Sequence, residues 1–122
     1  MPATVRALRG ATRVDADTRE QITERVHELV STLLERNGLG GDDLISAVFT
    51  ATRDLHSMFP AEAARAAGLG DVPLLCAQEL DIVGKPDRCI RVMMHVHTER
   101  PRADLHHVYL RGTSTLRDDL PE

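Results

Sequence analysis

The stretch Cys89-Ile90-Arg91-Val92-Met93-Met94-His95-Val96-His97-Thr98 governs how this chain is read. Side chains of an extended strand alternate, so Ile90, Val92, Met94 and Val96 share one face and Cys89, Arg91, Met93, His95 and His97 the other. The first is a core face. The second mixes thiol, thioether, imidazole and guanidinium groups, and a sheet that leaves such a partly apolar face bare argues for association of subunits.

Upstream, residues 72–79 read as a third strand and residues 44–52, rich in β-branched and small apolar groups, as a second, preceded by the turn Gly40-Gly41-Asp42-Asp43. Residues 5–9 form a short first strand, which Gly10-Ala11-Thr12 breaks. A helix follows. Asp17-Thr18-Arg19-Glu20 has the pattern of a capping box with Asp17 as the cap, and Ile22, Val26, Leu29, Val30, Leu33 and Leu34 then recur at helical spacing until Asn37-Gly38 ends the run. Pro60 suits the first turn of a second, short helix over 60–67, closed by Gly68 and Gly70. Beyond the fourth strand, a helical turn over 102–106 leads to a last strand over 108–116. The order β, α, β, α, β, β, β predicts an α+β fold: a mixed five-stranded sheet with its helices on one face, in a single domain over 1–122.

At 122 residues, 42% apolar, the chain is one domain of ordinary size. Two Phe, one Tyr and no Trp leave a core of Leu, Val, Ile, Ala and Met. The net charge of −4 disfavours nucleic acid as a partner. Fourteen of the fifteen basic residues are Arg and the other is Lys85. Residues 1–10 lack the apolar core of a signal peptide, and no stretch approaches the roughly 18 apolar residues of a membrane span, so the expectation is a cytoplasmic protein. Cys76 and Cys89 lack a CxxC spacing and read as reduced thiols.

Arg91 carries most of the chemical information. A guanidinium in mid-strand is unfavourable unless an anion meets it, either a structural carboxylate or a bound ligand. Arg9 and Arg117, at the ends of the first and last strands, join it if those strands are neighbours. Several guanidinium groups around one pocket suit a small dicarboxylate, each binding a carboxylate through two parallel hydrogen bonds. Glu79, after the apolar run Leu74-Leu75-Cys76-Ala77-Gln78, either partners an Arg or accepts from a substrate hydroxyl. Alternation sets Cys76 and Glu79 on opposite faces, so their joint use needs a bend or two subunits. Cys76 lacks an adjacent His in sequence. His95, His97, His106 and His107 raise the question of a metal, but no carboxylate is spaced as a third ligand, and none is expected.

Arg6-Ala7-Leu8-Arg9-Gly10-Ala11-Thr12, Asp54-Leu55-His56 with Phe59-Pro60-Ala61, Val72-Pro73-Leu74-Leu75-Cys76-Ala77-Gln78-Glu79, Cys89-Ile90-Arg91-Val92-Met93-Met94 and His107-Val108-Tyr109-Leu110 together resemble the monofunctional chorismate mutases of the trimeric, pseudo-α/β-barrel class. The resemblance implies an isomerase of aromatic amino acid biosynthesis that needs no cofactor. Such an enzyme converts chorismate to prephenate by a Claisen rearrangement, as a homotrimer with its active sites between subunits. It further implies that Arg91 meets the ether oxygen and a carboxylate and Arg9 a carboxylate, with Glu79 and Cys76 near the ring hydroxyl and Tyr109 near the side-chain carboxylate. Phe59, Leu74 and Leu116 would line the cavity, with Arg65 and Ala61 at its entrance. Two positions depart from the family pattern: Glu62 replaces a lysine beside the entrance, which weakens attraction of a dianion, and Leu75 replaces a threonine. A different class, a trimeric protein like the imine and enamine deaminases or a non-catalytic carboxylate binder, is the alternative.

Overall fold

The computed structural model of the chain describes residues 3–114. Strand β1 (Thr4–Arg13), helix α1 (Arg19–Arg36), strand β2 (Leu44–Ala51), helix α2 (Pro60–Ala64) and strands β3 (Leu74–Gln78), β4 (Cys89–Thr98) and β5 (Val108–Tyr109) follow one another in the expected order. The sheet runs β3-β2-β4-β1-β5. β4 is antiparallel to both neighbours, whereas β2 with β3 and β1 with β5 are parallel. β1 and β2 therefore run the same way on either side of β4, and each is followed by a helix, as parallel connections require. α1 and α2 touch each other over the sheet.

The core lies between α1 and one sheet face. Ile22, Val26, Leu29, Val30 and Leu33 of α1 are fully buried against Leu8, Phe49, Ile90, Met94 and Val96. Removing this apolar area from water is the main favourable term in the fold. Along β4 the inward residues are buried and Met93 and His97 are exposed, as alternation predicts.

Beyond differences of one or two residues at strand and turn ends, four boundaries depart from the sequence reading. β1 does not break at Gly10 but continues to Arg13, paired with β4 throughout. Gly10 is there because α1 passes close: a Cβ would lie 2.9 Å from a Leu33 methyl and 3.0 Å from one of Leu29. The cap of α1 is Thr18, whose hydroxyl oxygen accepts from the Gln21 N–H at 3.1 Å. Asp17 instead accepts the backbone N–H groups of His56 and Ser57, each at 3.0 Å, tying the loop before α2 to the start of α1. Burial raises the Asp17 pKa, but these N–H donors and the Ser57 hydroxyl outweigh it and leave the carboxyl below its usual range. α2 stops at Ala64 and widens into a looser turn over Arg65–Leu69, where Gly68 takes φ 110°. β5 is two residues long, because Arg111 and Gly112 turn the chain at φ 58° and 81°. Residues 110–114, expected to continue the strand, are turn and irregular structure instead, and the last expected strand residues, up to Leu116, and Arg117 beyond them lie outside the described residues.

Candidate active site

Register aligns the outward residues in rows across the sheet. Ala77, Thr50, Arg91, Ala11 and Tyr109 form one row, and Leu75, Val48, Met93 and Arg9 the next. Arg91 thus stands on the central strand with Tyr109 two strands away and Arg9 on the neighbouring strand, one row along. β1 and β4 are paired neighbours, the condition set for bringing Arg9 and Arg91 together.

Arg91 is met by a carboxylate. Its Nε donates to Glu79 Oε2 at 2.6 Å and its Nη2 to Glu79 Oε1, a fork-to-fork pair. The Thr50 hydroxyl also donates to Glu79 Oε2. The Arg91 hydrogen bonds hold the Glu79 carboxyl below its usual range against the opposing effect of burial, with Arg9 adding its field, and they raise Arg91 in turn. The pair is not sealed in. The side chains are 30% and 14% exposed and face a hollow of about 220 Å³, with Cys89, Lys85 and Ile82 among its walls. Glu79 thus partners Arg91, and the guanidinium keeps its Nη1 edge clear of the carboxylate.

Behind Arg91, burial pushes the Cys89 thiol up to about 11, so it is a neutral packing group. The Cys89 N–H donates to the Thr52 hydroxyl at 3.0 Å, and that hydroxyl donates to Asp54 at 2.5 Å. Asp54 also accepts the Arg88 N–H at 3.0 Å. These bonds moor the end of β4 that carries Arg91. Sequence reasoning missed Thr50 and Thr52, since threonine in a strand carries no signal beyond β propensity.

A second, larger hollow of about 480 Å³ opens at the carboxyl ends of the parallel strands β2 and β3. Cys76, Phe59, His56, Arg53, Arg19 and Glu62 are among the residues around it, and Thr52 is common to both hollows. Cys76 is exposed. Phe59 is 69% exposed and Leu75 70%, large apolar groups facing outward. Arg65 is exposed, Ala61 is buried on the inner side of α2, and Leu74 is half-buried; none of the three lines either hollow. Within one chain, then, Arg91, Glu79, Arg9 and Tyr109 gather on the open sheet face, while Cys76 and Phe59 gather at the other hollow.

The His residues do not converge. Ser46 Oγ lies 3.4 Å from His95 Nδ1, His97 is exposed, and His107 Nδ1 accepts the Arg9 N–H at 3.0 Å.

The family described as chorismate mutase type I matches residues 5–120. The chain belongs to the type I chorismate mutases. This decides between the isomerase and deaminase-like readings. Among its relatives, chorismate mutase AroH of Thermus thermophilus is 45% identical over 117 residues, covering 95% of this chain and 96% of the relative. Chorismate mutase AroH of Bacillus subtilis is 42% identical over 117 residues, covering 95% of this chain and 92% of the relative. The solved structure of a chorismate mutase from Clostridium thermocellum superposes with a TM-score of 0.87 at 44% identity, over 90% of this chain and 98% of that one. This type I chorismate mutase thus shares its fold with a solved chorismate mutase over 90% of its length.

Proposed function

We infer that the chain isomerises chorismate to prephenate in aromatic amino acid biosynthesis, with Arg91 as the principal catalytic residue. The observation that carries this reading is the Arg91–Glu79 pair: a guanidinium fixed on a rigid strand by a bidentate carboxylate, with a hollow before it. In the rearrangement the ether C–O bond breaks as a C–C bond forms, and no proton or electron leaves the molecule. The work left to the protein is to hold the compact conformer and to stabilise the charge that grows on the ether oxygen. Glu79 occupies the Nε–Nη2 edge of Arg91, which leaves Nη1 for that oxygen and a carboxylate. Because Glu79 prevents Arg91 from reorienting, the cation is preorganised before substrate arrives.

A complete site needs both clusters, and one chain keeps them apart. The reading therefore includes a homotrimer in which Arg9, Glu79, Arg91 and Tyr109 of one subunit face Phe59, Ala61, Arg65, Leu74, Leu75 and Cys76 of the next. The exposed row Leu75, Val48 and Met93 supports this, since it lies beside Arg91 and is apolar. Leu116 and Arg117 belong to the same reading as substrate-binding residues. Glu79 and Cys76 would meet the ring hydroxyl and Tyr109 the side-chain carboxylate. A cytoplasmic location accords with two free cysteines and with the absence, among described residues, of a helix long and apolar enough to cross a membrane.

Purified protein mixed with chorismate should consume it and yield prephenate with no added metal or cofactor. Protein that is folded but leaves chorismate unchanged would overturn the reading.

A further inference from the structure

Glu62 stands where the resemblance leads one to expect a cation beside the entrance, and the structure gives that acid a partner. Arg19, the first residue of α1, donates through Nη2 to Glu62 Oε2 at 2.8 Å. Its Nη1 lies 3.5 Å from the Ser57 carbonyl oxygen, and Arg19, Glu62 and Ser57 all border the larger hollow with Cys76 and Phe59. The other guanidinium on this rim, Arg53, is held by Asp81 at 2.7 Å, and Asp81 also binds Lys85 at 3.0 Å. The loop that carries Ser57 is itself fastened to the start of α1 by Asp17. Arg19 therefore sits at the rim, at the start of an element to which the Ser57 loop is fastened, with Glu62 as its ion-pair partner.

We propose that Arg19 is an entrance cation of this enzyme, a specificity-determining residue that draws in the dicarboxylate, and that Glu62 is its positioning residue. The cation at the entrance is thus moved, not lost: it is on α1, and the acid on α2 faces it. A guanidinium has five N–H donors, and the contacts to Glu62 and Ser57 engage only part of them, so the rest remain for an incoming carboxylate. Glu62 offsets the charge at long range but holds the fork in place at short range, which favours recognition over diffuse attraction. This inference rests on the reading of the hollow as part of a chorismate site.

The test is steady-state kinetics on chorismate at low and high salt, with the native protein alongside. Arg19→Ala should raise KM about tenfold with kcat within about twofold, and should flatten the fall of kcat/KM with added salt. The exchange Arg19→Glu with Glu62→Lys, which moves the cation across the pair, should return KM to within about threefold of native, whereas Arg19→Glu alone should raise KM beyond the Ala variant. A merely structural ion pair would lower Tm without changing the salt slope. An Arg19→Ala protein with native KM and native salt dependence would overturn the proposal while leaving the activity intact; a native protein without turnover would remove the activity and this inference together.

Discussion

A guanidinium in the middle of a strand must be answered by an anion, and in this chain Glu79 answers it. The two interpretations of Arg91, structural pair or anion site, turn out to be compatible: the carboxylate takes one edge and the hollow lies before the rest. Arg91→Ala should lower kcat by about 10²–10³-fold, the effect of removing one preorganised donor, and leave a folded protein by circular dichroism. Arg91→Lys should fail nearly as badly, because an ammonium cannot hold Glu79 with two bonds and present a third. Near-native turnover in either variant would sink the assignment. Glu79 adds a pH prediction. Its pKa is depressed in the folded state, chiefly by Arg91, so its stabilising contribution is complete above the ordinary value of 4.5 and is lost as pH falls through the lower folded value. Thermal melts between neutral pH and strong acid should show Tm declining below that ordinary value, with a shallower decline in Glu79→Gln. Equal slopes in the two proteins would mean that the pair contributes nothing to acid sensitivity.

At the level of elements, the contact between α1 and β1 shows how a local rule yields to packing. Glycine after Arg9 reads as a break, yet it is the absence of a side chain that matters, since Leu29 and Leu33 occupy the space a Cβ would need. Both leucines are fully buried in the core, so a shift of either disturbs its packing. Gly10→Ala should destabilise the fold by about 1–3 kcal/mol, read as a lower Tm with unchanged β content. The other end of α1 was legible: Asn37 ends the helix and Gly38 takes the left-handed conformation. What lay beyond reach was the rest of Asn37's task. Its buried amide donates to the carbonyls of Leu33 and His106 and accepts the His106 N–H at 2.7 Å, joining the helix end to the segment that leads into β5. Asn37→Ala should cost about 1–3 kcal/mol in chemical denaturation, because those buried groups lose their partners. An unchanged midpoint would show that water replaces the amide there.

For the whole molecule, the open sheet face carries the consequence. Val48 is 36% exposed, Met93 40% and Leu75 70%, and they lie in register on three adjacent strands beside Arg91. A stripe of this kind on a small domain calls for a partner. Gel filtration should give the mass of three 13.5 kDa chains, and Val48→Asp should shift the peak toward one chain and abolish turnover. A monomeric native protein with full activity would rule out sites shared between subunits. Alternation along β4, the stripe of α1 and the turn signals between elements already settled the order of elements, the α+β class and the odd position of Arg91, because these depend on the period of neighbouring residues. Which residue answers Arg91, that Asp17 fastens a loop and not a helix, that Gly10 makes room for α1, and that Glu62 faces Arg19 depend on side chains far apart in the chain meeting at distances of about 3 Å. No spacing along a sequence encodes such meetings, since strand order and register are set by the packing of the entire sheet against its helices.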